Sequence, residues 1–317
     1  MYRLAESPLL QRLNQARHIL FAGAGGGFDV FSALPLFALL REQGKAVSLA
    51  NSSFTSLSEV TGRRVTPHCV EVTTDSDGPA RYFPEGYLTH FLAERGLQVP
   101  VYAFEKTGAV PLLTSYRALQ TELAFDCVVL VDGGTDILMR GDEAGLGTPQ
   151  EDVTSLAAVS QLDATDTLVC CLGFGIDRFH GVCHAHFLRN VAALSQRGGY
   201  LGTLALLPQM PEAQLLCDAI AFTNARMPAA QSIVGNSIAS AIEGEYGDVH
   251  RTSRTTGSKL WINPLMSCYW NFDLKQVAER CMYLDAVKLS RSIWDVNVIV
   301  EAFRKDVDRV PWEDIPV

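Results

Sequence analysis

Short apolar runs alternate with amphipathic segments along the first two thirds of the chain. Six runs have the length of a buried strand, at residues 19–22, 46–50, 99–104, 127–131, 167–172 and 200–207. Helix-like segments lie between them, at 30–43, 86–96, 109–122, 150–161 and 184–197. Strands that are buried on both faces and separated by helices are typical of parallel sheets. The pattern therefore predicts an α/β fold with a doubly wound, mostly parallel, Rossmann-like sheet.

The pattern changes after residue 207. Two consecutive helices are predicted at 211–226 and 229–242, followed by a polar stretch, a strand-like run at 260–266 and a helix at 288–305. We expect one α/β domain over residues 1–317 with a helical C-terminal portion. Residues 208–317 form either a cap on the sheet or an extension of it.

Composition narrows the class of partner. The 317 residues include 26 Lys and Arg against 35 Asp and Glu, a net charge of −9, which argues against a nucleic-acid or anionic-membrane surface. The eight cysteines form no CxxC pair, as expected for free thiols in a reducing cytoplasm. The N-terminus lacks the apolar core of a signal peptide, and no uncharged apolar run approaches a membrane span. A small-molecule substrate is the expected partner, and pairing into a homo-oligomer through outer helices stays open.

Three of the predicted strands run into loops that combine glycine with aspartate. The first loop contains Gly23, Gly25, Gly26, Gly27 and Asp29, the second Asp132, Gly133, Gly134 and Asp136, and the third Gly173, Gly175 and Asp177. In a parallel sheet the carboxyl ends of the strands share one edge, where ligands bind. We therefore expect the three loops to face the same side of the sheet, and their aspartates to converge if the three strands are neighbours.

The first loop, GAGGGFD, predicts an anion site formed by backbone N–H groups, because glycine lets the main chain approach a ligand at the start of the next helix. Its spacing matches neither the dinucleotide GxGxxG pattern nor a phosphate-binding loop ending in GK[ST]. A tight turn with close helix packing is the alternative interpretation.

The second loop suits several kinds of chemistry. Asp132 and Asp136 fit coordination of a divalent cation such as Mg²⁺, binding of ribose hydroxyls or general-base work. Either aspartate alone also suits a turn that bonds its own backbone. Arg140, a few residues on, is predicted to hold a phosphate or carboxylate of the ligand. Asn51 and Ser52 follow the second strand and fit either ribose recognition or a turn.

Histidines follow the third loop. On a helix His180 and His184 share a face, and with Asp177 they are candidates for proton transfer or metal binding. Capping or packing of the histidines is the alternative interpretation. Residues 250–259, HRTSRTTGSK, carry basic and hydroxyl side chains without an acid and fit either a phosphate-gripping lid or a solvated loop.

The motifs GAGGGFD, VDGGTDILMRGDE and LGFGID together resemble an uncharacterised family of archaeal and bacterial proteins, domain-of-unknown-function family 1152. The similarity covers most of the chain and implies one α/β domain, with no activity, cofactor or catalytic residue to carry over. A shorter likeness links GAG at 23–25 and GIDRFH at 175–180 to sirtuin-type NAD-binding folds. Gly175 stands where that pattern has asparagine, and zinc-binding CxxC pairs are missing.

The sequence favours an enzyme that binds a nucleotide or other phosphorylated metabolite at the carboxyl edge of the sheet and catalyses hydrolysis or group transfer. In this hypothesis the backbone of residues 23–27 holds the anion, Asp132 and Asp136 hold a cation or ribose, and Asp177 or His180 moves a proton. One alternative is a sirtuin-like glycohydrolase or transferase that consumes NAD. The other is a non-catalytic nucleotide sensor or assembly subunit.

Overall fold

Helices and strands alternate along most of the chain, which a computed structural model describes for residue 3, residues 6–163 and residues 166–315. In these residues the strands are β1 (His18–Gly23), β2 (Ala46–Ser52), β3 (Arg63–Thr66), β4 (Cys69–Val72), β5 (Val101–Phe104), β6 (Cys127–Asp132), β7 (Asp166–Cys171), β8 (Tyr200–Ala205) and β9 (Cys268–Asp273). The helices are α1 (Pro8–Gln15), α2 (Leu34–Glu42), α3 (Pro84–Ala93), α4 (Ala109–Leu123), α5 (Pro149–Val159), α6 (His184–Gln196), α7 (Pro211–Arg226), α8 (Ile233–Ile242), α9 (Leu274–Ala278), α10 (Leu284–Val287) and α11 (Ile293–Asp306). Short 3₁₀ turns include Asp29–Ala33, Asp136–Leu138 and Ile176–His180.

The nine strands of the described residues form one mixed sheet in the order β3-β4-β5-β2-β1-β6-β7-β9-β8. The central five strands, from β5 to β7 in that order, pair in parallel. At the edges, β4 pairs antiparallel with β3 and β5, and β9 pairs antiparallel with β7 and β8. The chain thus moves outward from β1 to β2 and β5, then restarts on the other side of β1 with β6 and β7. β1 and β6 therefore flank a topological switch point.

Two apolar layers cover the opposite faces of the sheet. Side chains alternate along a strand, so Ile19 and Phe21 of β1 join the layer against α1, α2, α3 and α7. Leu20 and Ala22 join the layer against α4, α5, α6 and α11. All four side chains are buried. The central strands need unbroken apolar runs because both of their faces are shielded from water, and the predicted α/β class is confirmed.

All six predicted strands correspond to strands of the sheet, but the strand predicted at 260–266 is wrong. In that stretch Ile262 forms an isolated bridge to Gly247, and Pro264–Ser267 is a 3₁₀ turn. Pro264 lacks the N–H group that a sheet ladder needs. The Asn263 side chain accepts a hydrogen bond from the N–H of Leu265, which starts the turn.

β9 follows that turn and ties the C-terminal portion into the sheet. Its sequence, CYWNFD, mixes polar and aromatic residues and was not predicted as a strand. The β3–β4 hairpin was missed as well, because it lies at the sheet edge and β3 has no fully buried residue.

No helix in the described ranges combines the length and the apolar content that crossing a bilayer requires.

Candidate functional site

The glycine–aspartate loops after β1, β6 and β7 meet at the switch point, and five carboxyl groups are buried there. The five residues are Asp29, Asp132, Asp136, Asp152 and Asp177, and each is at most 9% exposed. Asp132 ends β6, while Asp29, Asp136 and Asp177 belong to the 3₁₀ turns of the three loops. Asp152 comes from the first turn of α5. The expectation that the loop aspartates lie together therefore matches the geometry.

Backbone N–H groups of the loops bind these carboxylates. The N–H of Gly25 donates to Asp29 Oδ2 at 2.7 Å, and the N–H of Thr135 donates to Asp177 Oδ2 at 2.6 Å. The second bond joins the loop after β6 to the loop after β7. Gly25, which we predicted to hold a ligand anion, directs its N–H at the chain's own carboxylate.

Asp136 and Asp132 support neighbouring backbone in the same way. Asp136 Oδ2 accepts from the N–H of Thr148 at 2.8 Å, directly before α5 begins. Asp132 Oδ2 accepts from the N–H of Ile137 at 3.3 Å. Asp132 thus bonds the backbone of its own loop, as the alternative interpretation has it, whereas Asp136 bonds the backbone at the start of α5, twelve residues on.

Two glycines let the carboxylates approach the backbone. A Cβ atom at Gly25 would lie 2.8 Å from Asp152 Oδ2 and 2.9 Å from Asp29 Oδ2. A Cβ at Gly134 would lie 2.6 Å from Asp177 Oδ2. Any larger side chain at either position would occupy space that the carboxylates now fill, which explains why glycine and aspartate occur together in these loops.

Burial raises the pKa of every carboxyl in the cluster, and the charges of neighbouring aspartates add to the effect at Asp29, Asp132, Asp152 and Asp177. Burial raises the pKa of Asp29 to about 7, although the N–H groups of Gly25, Gly133 and Gly26 partly offset it. Burial, then the charges of neighbouring aspartates, raise the pKa values of Asp132 and Asp152 well above the usual range. The same causes act on Asp177. Bringing like charges together in a low-dielectric site favours their protonated forms.

Three of the five carboxylates have the spacing of metal ligands. One oxygen from each of Asp29, Asp132 and Asp152 lies within 4.8 Å of the other two. The predicted metal pair was Asp132 with Asp136. Asp136 is near enough for its charge to raise the pKa of Asp132, but it is not a member of this group. The sequence did not point to Asp152, because an acid in the first turn of a helix is common there on electrostatic grounds alone.

A cavity of about 560 Å³ opens beside the carboxylates. Asp29, Asp177 and His180 belong to its lining. Arg254 and the first turn of α8 belong to it as well, and Arg254 donates a hydrogen bond to the carbonyl of Gln231, just before that turn. Exposed aromatic rings of Phe54 and Phe179 are also part of the wall, at 50% and 70% exposure. The basic segment that was predicted as either a lid or a solvated loop therefore contributes to the cavity.

Other predicted site residues lie away from the cavity lining. His184 packs against the rings of Phe174 and Trp261, and burial lowers its pKa. Its neutral ring matches the packing interpretation. Gly173 and Gly175 shape the third loop, and Gly175 lies against His184.

Arg140 is the clearest departure from the prediction. Its guanidinium pairs with Asp142 and approaches Met282, and it borders a separate surface pocket with Arg197 and Arg280. The loop after Asp136 turns the side chain away from the strand ends, so Arg140 does not reach the cavity.

Asn51 and Ser52 are buried at the end of β2. The Asn51 amide donates to Gly27 O and to Glu85 Oε1, both at 2.8 Å, and its oxygen accepts from the N–H of Val30 at 3.3 Å. Asn51 therefore links the first loop to Glu85 of α3 by hydrogen bonds. Neither Asn51 nor Ser52 belongs to the cavity lining.

Asn51→Ala is expected to destabilise the protein by about 2–4 kcal/mol, because it removes one hydrogen bond to the buried Glu85 carboxyl and leaves two backbone groups without their partner. Urea unfolding followed by circular dichroism measures the change. Ser58→Ala, at an exposed site in the segment after β2, serves as the control and should shift the free energy of unfolding by less than about 0.5 kcal/mol. An Asn51→Ala variant as stable as the parent would contradict this supporting role.

A comparison with known protein families gives a match over nearly the whole chain. A family model described as "Protein of unknown function (DUF1152)" matches residues 20–304. The chain belongs to this family. The match includes all three glycine–aspartate loops, so the resemblance found in their motifs is confirmed. No curated protein and no solved structure matches the chain, and the likeness to sirtuin-type folds gains no support.

Proposed function

We propose that this member of the family is an enzyme that binds a nucleotide or another phosphorylated metabolite in the cavity and catalyses its hydrolysis or a group transfer. The observation that carries the proposal is the cavity itself, which lies at the switch point between β1 and β6 and combines a cationic wall with a wall of carboxyl groups. Doubly wound, Rossmann-like sheets bind their ligands at this position.

The cationic wall suits a phosphate group. Arg254 donates through Nη1 to Gln231 O at 2.7 Å, which fixes one side of the guanidinium and leaves its remaining N–H groups for a ligand. The first turn of α8 lies on the same wall, where the helix dipole and backbone N–H groups favour negative charge. Since the first loop directs Gly25 N–H at Asp29, we assign the phosphate to this wall.

The aromatic rings suit the rest of such a ligand. Phe54 lies over Gly26, and Lys106 Nζ is 5.0 Å from the centre of the ring. Half of the Phe54 side chain is exposed at the cavity. A planar base stacked on this ring would gain the favourable contact that aromatic faces offer to bases.

The carboxyl wall supplies the proton transfers. The pKa of Asp177 is raised because it is buried among other carboxyls, which favours its protonated form, and a protonated Asp177 can donate to a leaving group. His180 is exposed on the same wall and lies close enough to Asp136 to favour its ionised form. These residues fit acid–base catalysis of attack by water or by a second substrate.

The buried and free thiols favour a reducing compartment, and we expect the enzyme to act in the cytoplasm.

A panel of nucleotides and sugar phosphates tests the proposal by thermal shift and by chromatography of the products. For a ligand that is turned over, Asp177→Asn should lower kcat at least about 100-fold with little change in KM. A ligand that binds without forming a product would favour the sensor hypothesis. Release of nicotinamide from NAD would favour the NAD-consuming alternative, and absence of any binding would overturn the proposal.

Arg254→Gln should raise KM or the dissociation constant at least about tenfold, because a charge-assisted bond to phosphate is lost. Lys259→Gln removes a charge from the same segment outside the cavity wall and serves as the control, with an expected change below about twofold. Isothermal titration calorimetry measures the dissociation constants. If the two substitutions changed the dissociation constant equally, the assignment of Arg254 to the phosphate would be contradicted.

A further inference from the structure

We propose that Asp29, Asp132 and Asp152 together bind one divalent cation, Mg²⁺ or Mn²⁺, next to the cavity at the point where Asp29 lines it. The three residues come from three different elements, the first loop, the end of β6 and the start of α5. One oxygen from each lies within 4.8 Å of the others. Cation binding stands on these carboxylates alone, whereas a role for the cation in catalysis rests on the proposed function.

Asp152 provides the second observation that points to a ligand. Its side chain is 2% exposed, and Oδ1 has no hydrogen-bond partner within the described ranges of the chain. A buried carboxylate oxygen without a partner is costly. Both oxygens of Asp152 face Gly25, the residue whose missing side chain keeps this space open. A cation bound among the three carboxylates would give Oδ1 the partner that the protein does not supply.

Positive side chains do not neutralise the group. Across the described residues, no ion pair involves Asp29, Asp132 or Asp152. Lys106 pairs with Glu151, which precedes Asp152 on α5. Three acids held this close without a counter-charge repel one another, and a cation removes that repulsion.

The ligand chemistry selects the kind of cation. Three carboxylate oxygens without a thiol or an imidazole are ligands for hard cations. Mg²⁺ commonly retains several waters and is held by one to a few carboxylates together with substrate phosphates. Because Asp29 lies both in this group and in the cavity lining, a cation here is placed to contact a phosphate bound in the cavity.

Manganese titration of the EDTA-treated full chain tests the site without any substrate. Binding monitored by electron paramagnetic resonance should show one Mn²⁺ per chain, displaced by excess Mg²⁺. Asp152→Asn should weaken the affinity at least about 30-fold, because one anionic ligand of three is lost. Glu151→Gln, at the next position of α5 and outside the group, should change the affinity less than about threefold.

Gly25→Ala adds an independent arm. Its Cβ would lie within 3 Å of oxygens of both Asp29 and Asp152, so it should abolish Mn²⁺ binding without removing a ligand. Circular dichroism and the unfolding midpoint of each cation-free variant show whether the variant is folded. Should Gly25→Ala fail to fold, Asp152→Asn decides alone.

Two results would overturn the site, namely no Mn²⁺ binding by the parent protein at millimolar concentration, or equal binding by the parent and a folded Asp152→Asn variant. Failure of the proposed function would look different. Turnover that persists in EDTA would support the enzyme proposal and show that the cation is not needed for catalysis. If Mn²⁺ binds but no nucleotide binds and no product forms, the cation site stands and the enzyme proposal fails.

Discussion

Asp132→Asn is expected to abolish the proposed turnover and, at pH 7.5 in EDTA, to raise the unfolding midpoint by at least about 2 °C. We expect the loss of activity because Asp132 ends β6, one of the two strands that flank the switch point, and contributes to the three-carboxylate group. The gain in stability follows because burial and nearby aspartates raise the pKa of Asp132. Asparagine mimics the protonated acid and can still accept from the N–H of Ile137.

Calorimetry and a product assay on the same preparations measure both effects. Asp142→Asn is the matched control, since it removes an acid further along the same loop that pairs with Arg140 outside the cavity. We expect that control to retain turnover. An Asp132→Asn variant that unfolds, or one with the full turnover of the parent, would show that Asp132 serves only the loop.

The cation-free protein is expected to lose stability as the pH rises from 5 to 8. In the unfolded chain the buried carboxyls ionise near pH 4. In the folded protein Asp29 keeps its proton up to about pH 7, and the raised pKa values of Asp132, Asp152, Asp177 and Glu85 extend the same behaviour. The folded state therefore binds more protons than the unfolded state over this range, and Asp29 alone contributes a loss of about 1.4 kcal/mol per pH unit between pH 5 and its folded-state pKa.

Urea unfolding at pH 5, 6, 7 and 8 measures this slope. Excess Mn²⁺ should flatten the slope near pH 8, because a cation that binds only the folded state stabilises it and favours the ionised carboxylates. Arg254 and His180 are the basic side chains of the cavity lining, and of the two His180 favours the ionised form of Asp136. Stability that increases steadily from pH 5 to 8 in EDTA would contradict the protonated cluster.

The behaviour of the first loop shows where sequence reasoning was incomplete. Four glycines after a buried strand correctly indicated that the backbone must approach an anion closely. The anion that Gly25 contacts is the carboxylate of Asp29 four residues on. A backbone donor has the same sequence signature whether its acceptor is a ligand or the chain itself, so the pattern gave the donor and left the acceptor undetermined.

Arg140 and Asp152 show the same limit for side chains. Arg140 is close in sequence to the second loop and points to Asp142 and Met282, whereas Asp152 is sixteen residues beyond Asp136 in the printed sequence and meets Asp29 and Asp132. Proximity along the chain does not fix the direction of a side chain after a long loop. The path of the chain from Thr148 into α5 decides that Asp152 is carried back to the strand ends.

By itself the sequence determined the central strands and the edge of the sheet at which their loops lie. Unbroken apolar runs mark strands that are shielded on both faces, and parallel strands bring their carboxyl ends to one side, so Asp29, Asp132 and Asp177 had to share that edge. The strand order, in which β1, β6 and β7 are adjacent, makes them neighbours. Only the tertiary structure decided the insertion of β9, the direction of Arg140 and the contribution of Asp152. These three features depend on contacts between segments that are distant in the sequence. A local pattern of apolar and polar residues predicts whether a residue is buried, but it does not predict which residue it packs against.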